Sequence, residues 1–312
     1  MKKIIISILL LSLKVSAVET DQYLTWGIEL KDSANVVNEY ISTELRNRLK
    51  LPKIQKQKTC FQVIKKSAKI FRRPFVQLIE SWAEHNLEID VYPPRNFEGS
   101  YKNLSIYRKN VFPFIMPLSS TMNINGIYFG TDKLGHFISF GIRYMSMYQK
   151  YIKRGLSHGQ AIRKLVKFGI NSEIYLVGTL ATGVVSFADM ESNFQGFLFF
   201  SSLCDQKSDF HYEQDKNGRW KLVGELDITK HITPEFDESY NENHFRPDRW
   251  TGKKGLSVTL KKYCGFTNDF TRKSYYQNNF IKSFNIDYIS ELEKSGELKL
   301  RKSKNFSKLC RE

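Results

Sequence analysis

The feature that most constrains this fold is a set of three consecutive helical patterns in the middle of the chain. Apolar residues recur three or four positions apart from Asp132 onward, again after Ser157, and again after Ser186. This spacing places them on one face of each helix. Two of the helices begin with capping sequences, Ser157-x-x-Gln160 and Ser186-x-x-Asp189. The pattern predicts a mainly α fold (α+β), with a helical core and a small antiparallel β element.

Two turn signals account for the β element. Short β-prone runs flank Asn125-Gly126 and Asn217-Gly218, which favour tight hairpin turns. The first hairpin leads directly into a helix predicted from Asp132 to about Lys153. The predicted organisation is a signal peptide at 1–17, a helical core domain at 18–204, and a β-containing appendage with a basic helical tail at 205–312.

The N-terminal segment has the layout of a secretory signal peptide. Lys2 and Lys3 precede an apolar run from Ile4 to Leu13, and Val15-Ser16-Ala17 follows as a small-residue end. The run is too short for a membrane span. We therefore expect a secreted protein of the periplasm or cell surface, with no transmembrane segment after signal removal.

The charge of the chain indicates its partners. Lys and Arg number 48 against 32 Asp and Glu, and removing residues 1–17 takes away three lysines, so 48 − 3 = 45 leaves a formal charge of +13. Such a surface attracts anionic material, and we expect wall polymer or lipid headgroups. The chain has no recognisable nucleic-acid-binding module and no glycine-rich phosphate loop, so neither nucleic acid nor a nucleotide cofactor is expected.

The four cysteines are widely spaced and form no C-x-x-C pair. In an oxidising compartment an even count predicts two disulfides, and the sequence leaves three pairings open. The cysteines are Cys60, Cys204, Cys264 and Cys310.

Polar residues recur along the three helices at helical spacing. Asp132, His136, Ser139 and Arg143 stand at offsets of 0, 4, 7 and 11, so they share one face. Asp189, Asn193 and Gly196 stand at offsets of 0, 4 and 7, and Gly196 among phenylalanines predicts a close helix contact. Glu173 lies on the apolar face of the second helix. The predicted polar centre is Asp132, Lys133, His136, Glu173, Asp189 and Asn193, with Arg143, Ser186 and Gly196 beside it.

Each of these residues has a structural and a functional explanation. Asp132 suits the first turn of a helix with Thr131 as N-cap, or it orients His136 for proton transfer or metal binding. Glu173 is either a general acid whose pKa burial raises, or the partner of Arg143 or Lys133.

The remaining candidates divide in the same way. Capping explains Ser186 and Asp189 but not Asn193, which needs hydrogen-bond partners if it is buried. A metal held by His136 with Asp132, Glu173 or Asp189 has one nitrogen ligand, too few for an ordinary zinc site, so no metal is expected.

The spacing of these residues resembles a known pattern. Asp132-Lys133-x-x-His136-Phe137, then Glu173, then Ser186-x-x-Asp189-x-x-x-Asn193-x-x-Gly196 resemble the motif of the VanZ-like proteins. They are also similar to a group of predicted periplasmic proteins of unknown function. The resemblance covers residues 132–196 and implies a helical core with clustered polar positions. It names no reaction.

Two functions follow as hypotheses. In the first, the protein is a cell-envelope factor whose polar cluster fixes helix register or binds an envelope component, while basic and aromatic residues bind the envelope. In the second, it is a hydrolase of envelope glycan or lipid, with Glu173 as general acid, His136 as a base or an orienting partner, and Asp189 or Asn193 positioning water or substrate. A second polar group is interpreted as a turn-rich loop: Asp237, Glu238, Asn241 and His244.

Overall fold

The computed structural model describes residues 19–73, 76–97, 105, 118–175, 178, 184–245, 263–265, 270–298, 300 and 305–310. The predicted signal peptide at 1–17 lies outside the described residues, as does 246–262 of the predicted appendage. The described chain is mainly helical with short strand pairs, which confirms the predicted fold class.

The helices are α1 (Ala34–Leu49), α2 (Pro52–Gln55), α3 (Cys60–Ser67), α4 (Leu78–His85), α5 (Thr131–Lys153), α6 (His158–Tyr175), α7 (Phe187–Ser202), α8 (Phe270–Asn279), α9 (Phe284–Lys294) and α10 (Phe306–Leu309). The strands are β1 (Glu19–Thr20), β2 (Arg72–Arg73), β3 (Val76–Gln77), β4 (Leu118–Ser119), β5 (Thr121–Ile124), β6 (Ile127–Gly130), β7 (Val184–Val185), β8 (His211–Gln214), β9 (Trp220–Val223) and β10 (His244–Phe245). The strands pair in twos: β2 with β3, β5 with β6, β8 with β9 and β7 with β10 are antiparallel, whereas β1 and β4 are parallel.

The three predicted helices in the middle of the chain are α5, α6 and α7. A full capping box starts α6: the Gln160 N–H donates to Ser157 Oγ at 3.3 Å, and the Ser157 N–H donates to Gln160 Oε1 at 2.9 Å. Helices α5 and α7 touch backbone to backbone, because a Cβ on Gly196 would overlap the Phe137 carbonyl oxygen. This is the close contact that the sequence predicts at Gly196, and it brings the polar residues of the two helices together.

The predicted N-cap role of Thr131 is wrong. Helix α5 begins at Thr131 itself, with Gly130 at the N-cap. The Thr131 hydroxyl instead donates to the Glu84 carboxylate of α4. The reason is the β5–β6 hairpin, which delivers the chain into the helix while the Thr131 N–H bonds to Ser120 O at 2.9 Å.

Both predicted hairpins form. The turn between β5 and β6 has positive φ at Asn125 (53°) and Gly126 (79°), as a tight turn with two left-handed residues requires. Gly218, with φ 73°, lies between β8 and β9.

One hydrophobic core joins the helical region to the segment after α7. Apolar residues of α1, α3, α5, α6 and α7 pack in the same cluster as Phe210, Tyr212, Ile228 and Phe236. Residues 205–245 therefore share the core of the helices, and their loops reach the N-terminal ends of α5 and α7.

Two disulfides connect distant parts of the chain. Cys60 of α3 bonds to Cys204 after α7, and Cys264 bonds to Cys310 in the C-terminal part. Disulfides persist in oxidising compartments, so both fit an extracytoplasmic protein. Within the described residues, no helix combines the length and apolar character that a membrane crossing requires.

Candidate functional site

A lysine ammonium lies at the centre of the polar site. Lys133 is fully buried, and its Nζ lies 2.6 Å from Asp132 Oδ2, 2.7 Å from Asp189 Oδ1 and 2.7 Å from Glu238 Oε1. An ammonium has three protons to donate, and here three carboxylates surround it. We call Asp132, Lys133, His136, Asp189 and Glu238 the Lys133 cluster.

The helices explain why these groups meet. Asp132 occupies the first turn of α5 and Asp189 the first turn of α7, where the positive end of each helix dipole favours an acid. The close approach of α5 and α7 brings the two first turns together. Glu238 arrives from the loop that follows the short helix Pro234–Phe236.

His136 is the member of the Lys133 cluster that reaches the surface. Its Nε2 lies 3.3 Å from Asp189 Oδ2, and its Nδ1 lies 3.2 Å from Asn193 Oδ1. Its side chain is 14% exposed, against 7% or less for the others. The ring also stacks on Phe140, with the centroids 5.3 Å apart. Contacts at both nitrogens and on one face therefore fix the orientation of the imidazole.

Asn193 has the partners that a buried amide requires. Besides His136, its side chain hydrogen-bonds the buried Tyr144 hydroxyl. It therefore links α7 to two positions of α5.

Ser186 forms one half of the predicted capping box. Its Oγ accepts from the Asp189 N–H at 3.1 Å and donates to Glu238 Oε1 at 3.0 Å. In a full box the acid three positions later would accept the Ser186 N–H. In this protein Glu173 Oε1 accepts the hydrogen bond from the Ser186 N–H instead, at 3.1 Å. Asp189 is thereby left to pair with Lys133 and His136.

The pKa values of Asp189 and Glu173, two of the acids around Ser186, are shifted in opposite directions. Burial alone would raise the pKa of Asp189, but His136 and Lys133 outweigh it and hold that pKa below its usual range. Burial, reinforced by the Asp189 charge, raises the pKa of Glu173 well above its usual range. The same pocket therefore favours the charged form of Asp189 and disfavours the charged form of Glu173.

The pKa values of the other ionisable groups in the site are set by the same two effects, burial and neighbouring charges. Burial would lower the pKa of Lys133, but the carboxylates around it raise that pKa well above its usual value, so the ammonium stays charged. Burial raises the pKa of Glu238 to about 7 and that of Glu19 well above its usual range. Thr20 Oγ1 donates to Asp132 Oδ1 at 2.8 Å, so β1 also supports the site.

Some of the predicted residues lie elsewhere. Arg143 is exposed, and its guanidinium stacks over Phe168 at 5.0 Å and over Phe140 at 5.8 Å, so it takes no part in the Lys133 cluster. Its offset of 11 from Asp132 preserves the helix face but moves it about 16 Å along the axis. Ser139, on the same face, bonds Gln77 instead.

The sequence interpretation missed Glu238 and Glu19. Glu238 belonged to a group interpreted as a loop, and Glu19 is the second residue after the predicted signal peptide. A lysine directly after Asp132, at the start of a buried helix, is the one local signal that further acids were needed nearby.

The ligand atoms of Asp132, His136 and Asp189 lie within 4.8 Å of one another, close enough to hold a metal ion. The Lys133 ammonium already contacts both carboxylates at 2.6 and 2.7 Å. A cation bound there would meet that positive charge, which disfavours metal binding.

Comparisons of the chain with protein-family models, curated proteins and solved structures give no match. The resemblance to VanZ-like proteins remains a prediction, and function has to be argued from the residues themselves.

Proposed function

We propose that the protein is secreted, acts at the cell envelope, and binds anionic envelope material through a basic face, while the Lys133 cluster holds its helices in register. The observation that carries this proposal is the internal pairing of the cluster. Lys133 Nζ lies within 2.7 Å of three carboxylates, and both His136 nitrogens have oxygen partners. A site whose polar atoms bond one another is suited to fixing a fold.

The basic face lies on α6. Arg163, Lys164 and Lys167 are exposed there and line one side of an open groove of about 560 Å³, which Glu291 and Glu297 line from the other side. Arg163 lies over the Tyr288 ring at 5.7 Å. Cations beside aromatic rings on an exposed helix suit a polymer that carries phosphate or carboxylate groups.

The binding test uses charge reversal. The Arg163→Glu/Lys164→Glu double variant is compared with Lys53→Glu/Lys56→Glu, which makes the same charge change at exposed positions around α2. We measure co-sedimentation with anionic lipid vesicles and with isolated cell-wall polymer at several salt concentrations. The α6 variant should lose about tenfold in affinity for one of the two materials, and the control about threefold at most. Equal losses in the two variants would show that net charge, and not the α6 face, carries the binding.

A hydrolase of envelope glycan or lipid is the second candidate, and one observation favours it. His136 reaches the surface beside Asp189, whose pKa is lowered, while the pKa of the buried Glu173 is raised, and acid–base catalysis uses such a divergence between two acids. Glu173 is 4% exposed and bonds the Ser186 N–H. In this candidate His136 therefore exchanges the proton with substrate, and the two acids set the charge around it.

The hydrolase test compares His136→Gln with His158→Gln, a histidine exposed at the start of α6. Release of reducing ends and of fatty acids from envelope fractions is measured for each. The candidate requires activity in the parent and in His158→Gln, and about a hundredfold loss in His136→Gln. Equal release by all three proteins would exclude His136 as the proton-transfer group.

A further inference from the structure

A second groove, apart from both the Lys133 cluster and the α6 face, lies in the C-terminal half of the molecule. It has a volume of about 510 Å³ and is bounded by the segment from Glu235 to His244 on one side and by α8 and α9 on the other. Its size is within the range of small-molecule sites.

A buried carboxylate lines this groove. Glu235 is 2% exposed, and its Oε1 accepts from the Ser283 N–H at 3.4 Å. Across the described part of the chain, its Oε2 has no hydrogen-bond partner. A buried acceptor left unpaired is costly, and a donor supplied by a ligand in the groove would remove that cost.

The other lining groups indicate the ligand. The amides of Asn241 and Gln277 and the hydroxyls of Tyr240 and Ser290 can each donate and accept, and Ile286 adds an apolar surface. Hydroxyl groups on a ring with apolar faces match such a lining. We propose that this groove binds a saccharide, and that the Glu235 side chain turns toward it so that Oε2 accepts a hydrogen bond from a sugar hydroxyl.

The charges in the groove favour an uncharged ligand. The lysines Lys273 and Lys282 face the carboxylates of Glu235, Glu242 and Glu293, so the lining gives no excess of positive charge for an anion. Burial raises the pKa of Glu235, because desolvation disfavours its charged form. A sugar hydroxyl can donate to the carboxyl group without carrying a charge into the groove.

Calorimetric titration of the full chain, with both disulfides intact, tests the proposal. The probes are a trimer of N-acetylglucosamine and maltotriose, with inorganic phosphate and spermidine as ionic comparators. One trisaccharide should bind saturably. Glu235→Gln should weaken that binding about tenfold, because the amide oxygen is needed by the Ser283 N–H and an NH2 group, which cannot accept a hydrogen bond, then takes the place of Oε2. Glu291→Gln, an exposed position on α9 outside this groove, should bind like the parent.

A second variant tests the proposal if Glu235→Gln fails to fold. Gln277 is exposed on α8, so Gln277→Ala should fold normally and weaken saccharide binding about threefold. Three results would overturn the proposal. The first is that neither trisaccharide binds at about 10 mM, the weakest affinity that would count as binding here. The second is that both groove variants bind saccharide like the parent. The third is that the groove binds phosphate or spermidine and that Glu235→Gln abolishes this binding.

Discussion

Asp189 and Glu191 stand two residues apart on α7, and the protein holds these two buried acids in different ways. Asp189 contacts charged partners, with Lys133 at 2.7 Å and His136 at 3.3 Å. Glu191 is fully buried among neutral donors. Those donors are Gln195 at 2.8 Å, Ser283 at 2.9 Å, Asn285 at 3.0 Å and Thr233 at 3.2 Å.

The two environments shift the pKa values of the two acids in opposite directions. His136 and Lys133 keep the pKa of Asp189 below its usual range despite burial. Burial raises the pKa of Glu191 to about 7, although hydrogen bonds from Gln195, Asn285 and Ser283 oppose the rise. Equal burial and a shared helix therefore do not decide ionisation, which depends on whether a cation lies within bonding distance.

Removing the cation should have the largest effect. Lys133→Met leaves Asp132, Asp189 and Glu238 buried without their shared partner. We expect a loss of about 3–5 kcal/mol in the free energy of unfolding, measured by denaturant titration at neutral pH.

The matched control is Lys167→Met, which removes an exposed pair with Glu297 at 2.8 Å. Exposed ion pairs contribute about 0–1 kcal/mol, so this variant should stay close to the parent. A Lys133→Met protein as stable as the control would contradict a fold-fixing role for the cluster, because leaving buried acids without their partner should destabilise the protein measurably.

The second-largest expected effect is the pH-dependent contribution of Glu191 to the free energy of unfolding. Its folded pKa, about 7, lies above the value of 4.5 expected when unfolded. The native state therefore binds the proton more tightly, and this stabilisation is full below pH 4.5 and lost as the pH rises through 7. The loss amounts to roughly 3 kcal/mol at about 1.4 kcal/mol per pKa unit.

Glu191→Gln cannot titrate, so comparing it with the parent isolates this contribution. The variant should lose about 1 kcal/mol at pH 5 because one amide hydrogen faces a donor. Relative to the parent it should then gain stability as the pH approaches 8. If the unfolding free energies of Glu191→Gln and the parent differ by the same amount at every pH from 5 to 8, the raised pKa of Glu191 is contradicted.

The same comparison shows what the sequence could predict. Local patterns identified α5, α6 and α7, both hairpin turns, the close contact at Gly196 and the apolar-face position of Glu173. All of these depend on residues within a few turns of one another, where spacing determines which side chains share a face.

The partners of Lys133 were not predictable in this way. Glu238 lies far away in the chain and reaches Lys133 through the shared core, and no local signature records that contact. Arg143 was misplaced because helical offsets give the face of a residue but not its depth along the axis. Glu191 was overlooked because its neutral partners on α9 lie about ninety residues later.

The smallest expected effect tests why Asp189 is free to pair with Lys133. Ser186 is buried and bonds the Asp189 N–H and Glu238, whereas Ser157 caps α6 at an exposed position in a complete box with Gln160. Ser186→Ala should cost about 2 kcal/mol and Ser157→Ala about 1 kcal/mol, because the buried serine also leaves a carboxylate short of a donor. Denaturant titration of both variants measures the difference. Equal costs would mean that Ser186 acts only as a helix cap, and that Asp189 keeps its position through Lys133 and His136 alone.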